Sequence, residues 1–90
     1  MSPSSEPERR ATLPADVALH ARPAGTFVRE AAQFRAGLFV VANGKRANAK
    51  SILEVLALGA VGGTELTLSA SGDDAAEAVD HRAALIPRLG

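Results

Sequence analysis

The chain has 90 residues, of which 47% are apolar, 22% charged and only 3% aromatic, and its ten basic side chains balance ten acidic ones. That length holds one small domain with one core, and zero net charge gives no electrostatic footprint for a nucleic-acid backbone. Three phenylalanines are too few for a base-stacking sheet, so no nucleic-acid partner is expected. Without cysteine there is neither a disulfide framework nor a thiolate cage. With only His20 and His81, no metal site and no cofactor are expected. No apolar stretch approaches the ~20 residues that cross a bilayer, and the amino terminus lacks a signal-peptide core, so a cytoplasmic protein without membrane insertion is expected.

Residues 1–10 hold two prolines, three serines and one apolar side chain, a composition that cannot offset the entropy of ordering. They read as a disordered tail, with the domain spanning 11–90. A first strand is expected around Ala11–Leu13, ended by Pro14, which has no amide hydrogen to give a ladder. Pro23 suits a first helical turn, and Ala24, Phe27, Val28 and Ala31 follow at helical spacing, with Phe34 expected to close the helix.

Leu38–Val41 is a run of strand formers, Asn43-Gly44 signals a tight hairpin, and Lys45–Ala49 returns from it. Ser51 is a good amino-terminal cap for a helix running to Leu58 and stopping at Gly59. At ~100° per residue, Val55 and Leu58 lie on one side of that helix and Ile52, Leu53 and Leu56 on another. Two apolar faces on one short helix predict that one of them is a partner surface.

Glu65–Ser71 alternates Leu66, Leu68 and Ala70 with polar neighbours, as a half-buried strand does. Ser71, Asp73 and Asp74 offer caps for a last helix with an apolar stripe of Ala76, Val79, Ala83 and Ile86, which Pro87 ends. His81 lies on that helix with no evident partner and reads as a surface residue. The order βαββαβα with hairpin connections predicts an α+β fold, an antiparallel sheet covered on one face by helices.

His20 stands just before the first helix, beside amides that have no partner within it, and a largely neutral imidazole near pH 7 is a nucleophile. Such a histidine can accept a phosphoryl group on a ring nitrogen and release it again, and Arg22 adds a planar fork of donors matched to phosphate oxygens. From position alone, a helix cap and a solvated charge explain the same two residues.

The string Leu19-His20-Ala21-Arg22-Pro23-Ala24 closely resembles the active-site signature of the HPr family, histidine-containing phosphocarriers of the bacterial sugar phosphotransferase system. The likeness continues through Asn43-Gly44-Lys45, Lys50-Ser51-Ile52-Leu53, Leu58-Gly59, Gly63 and Leu68-Ser69-Ala70-Ser71-Gly72, covering Thr12 to about Ile86. It implies an open-faced sandwich of four antiparallel strands with three helices on one face. It further implies a carrier, not a catalyst, that takes phosphate from enzyme I and passes it to enzyme IIA domains of sugar permeases.

By that resemblance His20 is the phosphoryl acceptor and Arg22 its neutralising partner. Ala24, Gly25, Ile52, Leu53 and Leu56 form the docking surface, and Ser51 matches the serine that a dedicated kinase, opposed by a phosphorylase, modifies in some members. A monomer is expected. Ala18, where a glycine is common, Glu54, where a small residue is common in kinase-regulated members, and the tail depart from the pattern. Two other readings stay open: a paralogue serving a nitrogen-related or dihydroxyacetone kinase relay, and a regulatory binding module with an idle histidine.

Overall fold

A computed structural model describes residues 7–16 and 21–88 of the protein. Four strands form one antiparallel sheet: β1 (Glu8–Thr12), β2 (Gly37–Ala42), β3 (Lys45–Asn48) and β4 (Glu65–Ser71), in the order β1-β4-β2-β3. Three helices, α1 (Ala21–Ala31), α2 (Ile52–Ala57) and α3 (Ala75–Leu85), accompany it, and a 3-10 turn at Ile86–Arg88 follows α3. Register explains why one face is covered. Val40 lies opposite both Leu68 and Ala47, and Leu38 opposite Ala70, so these buried side chains point to the same side. There they join Phe27, Val55, Val79 and Ile86 from the helical layer in a single core. The opposite face carries Phe39, Val41, Thr67 and Arg46, with the Arg46 guanidinium 4.0 Å from the centre of the Phe39 ring.

The β2–β3 hairpin turns on Asn43 (φ 54°) and Gly44 (φ 76°), both left-handed, as a two-residue turn matched to strand twist requires. β1 departs from expectation. It begins at Glu8, so residues 8–10, assigned to the tail by composition, belong to the sheet. The gain is in the backbone, since Glu8 to Thr12 pair with Ser69 to Glu65, while Arg9 reaches Asp80 of α3 at 3.0 Å. Composition weighs side chains and misses an edge strand that is held by its ladder. Residues 1–6 lie outside the described residues.

The end of α1 also differs, because the helix stops at Ala31 and Phe34 sits in the turn that follows. Tertiary groups hold that turn. Lys50 Nζ donates to the Phe34 carbonyl at 2.6 Å, and the Asp74 carboxylate accepts the N–H groups of Arg35 (3.0 Å) and Ala36 (2.8 Å). Asp74 therefore makes no side-chain cap to α3.

The Arg35 N–H above all, against an opposing desolvation and assisted by Ala36, holds the Asp74 carboxyl below the usual carboxylate range. A depressed native pKa means that the fold favours the ionised form. Its contribution is complete above the unfolded value of ~3.9 and is lost as pH falls through the native one. The stability gap between wild type and Asp74→Asn should therefore be widest near neutral pH and close in acid. Urea unfolding at a series of pH values checks this, and a gap independent of pH would exclude the carboxylate's charge as its source.

On α3 the buried stripe is Ala75, Ala78, Val79 and Arg82, continued by Ile86, rather than Ala76, Val79, Ala83 and Ile86; Ala76 is exposed and Ala83 half-buried. Arg82 is the reason that the stripe is hidden in the sequence. Arg82 is 1% exposed, and its guanidinium lies 4.1 Å from the centre of the Phe27 ring and donates through Nη2 to the Phe27 carbonyl. Burial pushes its pKa down to about 10. A cation at the centre of an inward face disguises the register that apolar spacing alone would reveal.

Candidate functional site

The site is assembled at the start of α1 and along α2. The approach to α1 is anchored from the loop before β4: Leu13 N–H donates to the Thr64 carbonyl at 2.9 Å and Gly63 N–H to the Leu13 carbonyl at 3.0 Å. Gly62 packs so tightly against this segment that a Cβ on it would overlap the Ala15 carbonyl and come 2.9 Å from the Pro14 oxygen. No side chain fits there. His20, with Val17, Ala18 and Leu19, lies outside the described residues, and Ala21 opens α1 immediately after it.

Arg22 is the second residue of α1 and is exposed at the helix's amino-terminal end. No acidic residue stands in that first turn. The first-turn N–H groups of a helix have no partner within it, and with the aligned peptide dipoles they carry partial positive charge, to which Arg22 adds a full one, so this end of the helix favours an anion. Gly25, in the next turn, is half-buried. Ala24 requires a correction: it is 0% exposed and belongs to the core, so its side chain is no docking contact. The helical spacing that groups Ala24 with Phe27 and Ala31 already points it inward.

α2 packs against α1 and carries the predicted second face. Ser51 caps it, accepting the Glu54 N–H on its hydroxyl at 3.3 Å from an extended backbone. Val55 and Leu58 are buried, whereas Ile52, Leu53 and Leu56 are 36%, 77% and 36% exposed. An apolar residue three-quarters in water beside two partly wet ones is unusual for a domain that must use nearly all its apolar surface to fold. Val61, on the loop after α2, is also exposed and was hidden in the sequence by Gly62-Gly63, which mark only a turn.

His81 is no lone surface residue. Its Nε2 lies 2.7 Å from Glu30 Oε1 of α1, its ring is tilted against Phe34 at 5.4 Å, and it borders a groove of about 350 Å³ with Ala84, Leu85 and Arg88. Glu30 is eight residues beyond Arg22, about 12 Å along α1 at helical rise, so this pair stands apart from the amino-terminal end. Among the described residues no helix is long and apolar enough to cross a membrane.

A family model described as the PTS HPr component phosphorylation site matches residues 7–87. The chain belongs to the HPr family. It is 46% identical over 82 residues to phosphocarrier protein HPr of Vibrio cholerae, covering 91% of this chain and 96% of that one. The crystal structure of phosphocarrier protein HPr from Bacillus anthracis superposes with a TM-score of 0.86 at 36% identity, over 92% of this chain and 99% of that one. The crystal structure of HPr-C-His from Thermoanaerobacter tengcongensis gives 0.84 at 39% identity, over 89% and 90%. The HPr fold, four antiparallel strands with three helices, is thus the one expected from the residues, and the family is one of phosphocarriers, not catalysts.

Proposed function

We propose that this HPr-family protein accepts a phosphoryl group from enzyme I on His20 and passes it to enzyme IIA domains of sugar permeases. What supports this reading is that His20 directly precedes α1 in the sequence, followed by an exposed Arg22 in a first turn with no acidic residue. Phosphoryl transfer needs alignment and charge stabilisation more than covalent machinery, and a helix end plus a guanidinium supply both. The exposed Ile52, Leu53 and Leu56 give the partners a surface to close on, and on this reading the protein acts as a monomer in the cytoplasm, with Gly25 of α1 part of the docking surface. The test is incubation with enzyme I and phosphoenolpyruvate followed by intact mass. One added phosphoryl group, labile in acid and stable in base, is expected; an unmodified mass would remove the reading.

Ser51 is proposed as a second, regulatory phosphate acceptor, and its cap role has to be separated from that. Because the hydroxyl accepts the Glu54 N–H, Ser51→Ala should destabilise the domain by about 1 kcal/mol, while Ser51→Asp keeps an acceptor and should leave stability near that of wild type. Denaturant unfolding of the three proteins measures this. Equal stability of Ser51→Ala and wild type would show that the cap contributes nothing, leaving the hydroxyl to be explained by modification alone.

A further inference from the structure

Glu54 stands in the first turn of α2, exposed, next to Leu53 in the chain. Both its backbone and its side chain are tied. Its N–H donates to Ser51 Oγ, and its Oε1 accepts the Asn48 N–H at 2.9 Å, which holds the carboxylate at the rim of the apolar face. The ion pairs among the described residues are Arg9–Asp80 and His81–Glu30, and neither involves Glu54. Lys50, the cation closest to it in sequence, donates its ammonium to the Phe34 carbonyl instead.

A partner that covers Leu53 must therefore also meet a fixed anion. Turning Glu54 away would break the Asn48 hydrogen bond, and leaving it in place removes water from a carboxylate that has one backbone donor and, among the described residues, no cation. The cost is avoided if the partner brings the missing charge. We propose that the surface docking on Ile52, Leu53 and Leu56 carries a lysine or arginine opposite Glu54, which makes Glu54 a specificity-determining residue for enzyme I. This rests on the phosphocarrier reading given above. With Arg22 at the start of α1 and Glu54 at the start of α2, the docking region presents one charge of each sign on adjacent helices. A partner of complementary pattern, acid toward Arg22 and base toward Glu54, would be fixed in one orientation and disfavoured in the reverse.

The experiment is phosphorylation by enzyme I of the source organism with phosphoenolpyruvate, at varied carrier concentration and at low and high salt, for wild type, Glu54→Gln and Glu54→Lys. Glutamine keeps an oxygen for the Asn48 N–H and removes only the charge. KM should rise about threefold for Glu54→Gln and about tenfold for Glu54→Lys, with kcat unchanged and the differences narrowing at high salt. Unchanged KM in both variants would overturn the proposal, and a lower KM for Glu54→Lys would show an acidic partner surface there. A wild type that takes no phosphoryl group would instead overturn the phosphocarrier reading and this inference with it, an outcome visible before any variant is compared.

Discussion

His20→Ala should take up no phosphoryl group from enzyme I and phosphoenolpyruvate, and Arg22→Ala should take it up about 10- to 100-fold more slowly. The first expectation follows from the proposed acceptor: the chain has no cysteine, His81 is held by Glu30 well away from the start of α1, and the histidine that directly precedes α1 in the sequence is the nitrogen nucleophile the proposal assigns. The second follows from magnitudes. A hydrogen bond to a charged group contributes about 1.5 to 3 kcal/mol, and each ~1.4 kcal/mol of lost transition-state stabilisation is tenfold in rate. The helix end alone supplies about 0.3 to 1 kcal/mol for an adjacent anion, so it cannot replace the guanidinium.

Arg22 is exposed and is not a member of the core, so its removal should leave the fold and the melting temperature unchanged. Arg22→Lys should recover part of the rate as a point charge without the planar fork. Rapid-quench transfer kinetics with intact mass read all three variants. Full phosphorylation of His20→Ala would move the acceptor elsewhere, and an unchanged rate for Arg22→Ala would take the guanidinium out of the mechanism.

What the sequence discloses depends on whether side chains or backbone and tertiary groups determine an element. β4 is legible because Leu66, Leu68 and Ala70 alternate with polar neighbours, and the β2–β3 hairpin because Asn43-Gly44 has few alternatives. β1 is not legible at Glu8–Arg10, where three charged side chains say nothing of a ladder with β4. The same limit applies to α3. Two registers of that helix satisfy the spacing rule, and the one adopted buries Arg82 under Phe27, which no rule about apolar periodicity would select.

At the site, the two faces of α2 were present in the spacing of Val55 and Leu58 against Ile52, Leu53 and Leu56. Ala24 shows the reverse case. The family likeness placed it on the docking surface, while its own helical spacing placed it in the core, and the spacing prevailed. The Glu30–His81 pair joins residues 51 positions apart, a contact that only the packing of α1 near α3 creates.

Leu53→Asp should weaken docking about 10- to 100-fold with little loss of stability, while Val55→Asp, two residues on, should unfold the domain. Leu53 is 77% exposed in the free protein, so an aspartate there remains solvated and α2 keeps its cap and its buried face. The cost arises on binding. A partner that covers the leucine gains about 1.5 to 3 kcal/mol from it, and that gain is replaced by a carboxylate to be stripped of water. Val55 is 0% exposed and packs in the core beneath the same helix. Charge placed there has no partner, and its burial costs several kcal/mol against a total stability of roughly 5 to 13 kcal/mol for a chain of this size. Val55→Ala provides the control for packing without charge, with an expected loss of about 2 kcal/mol and unaltered transfer. Circular dichroism melts separate folded from unfolded variants, and KM for enzyme I reads docking in the folded ones. If Leu53→Asp proved as unstable as Val55→Asp, the outer face of α2 would belong to the core and could not serve as the surface on which phosphoryl donors and acceptors close.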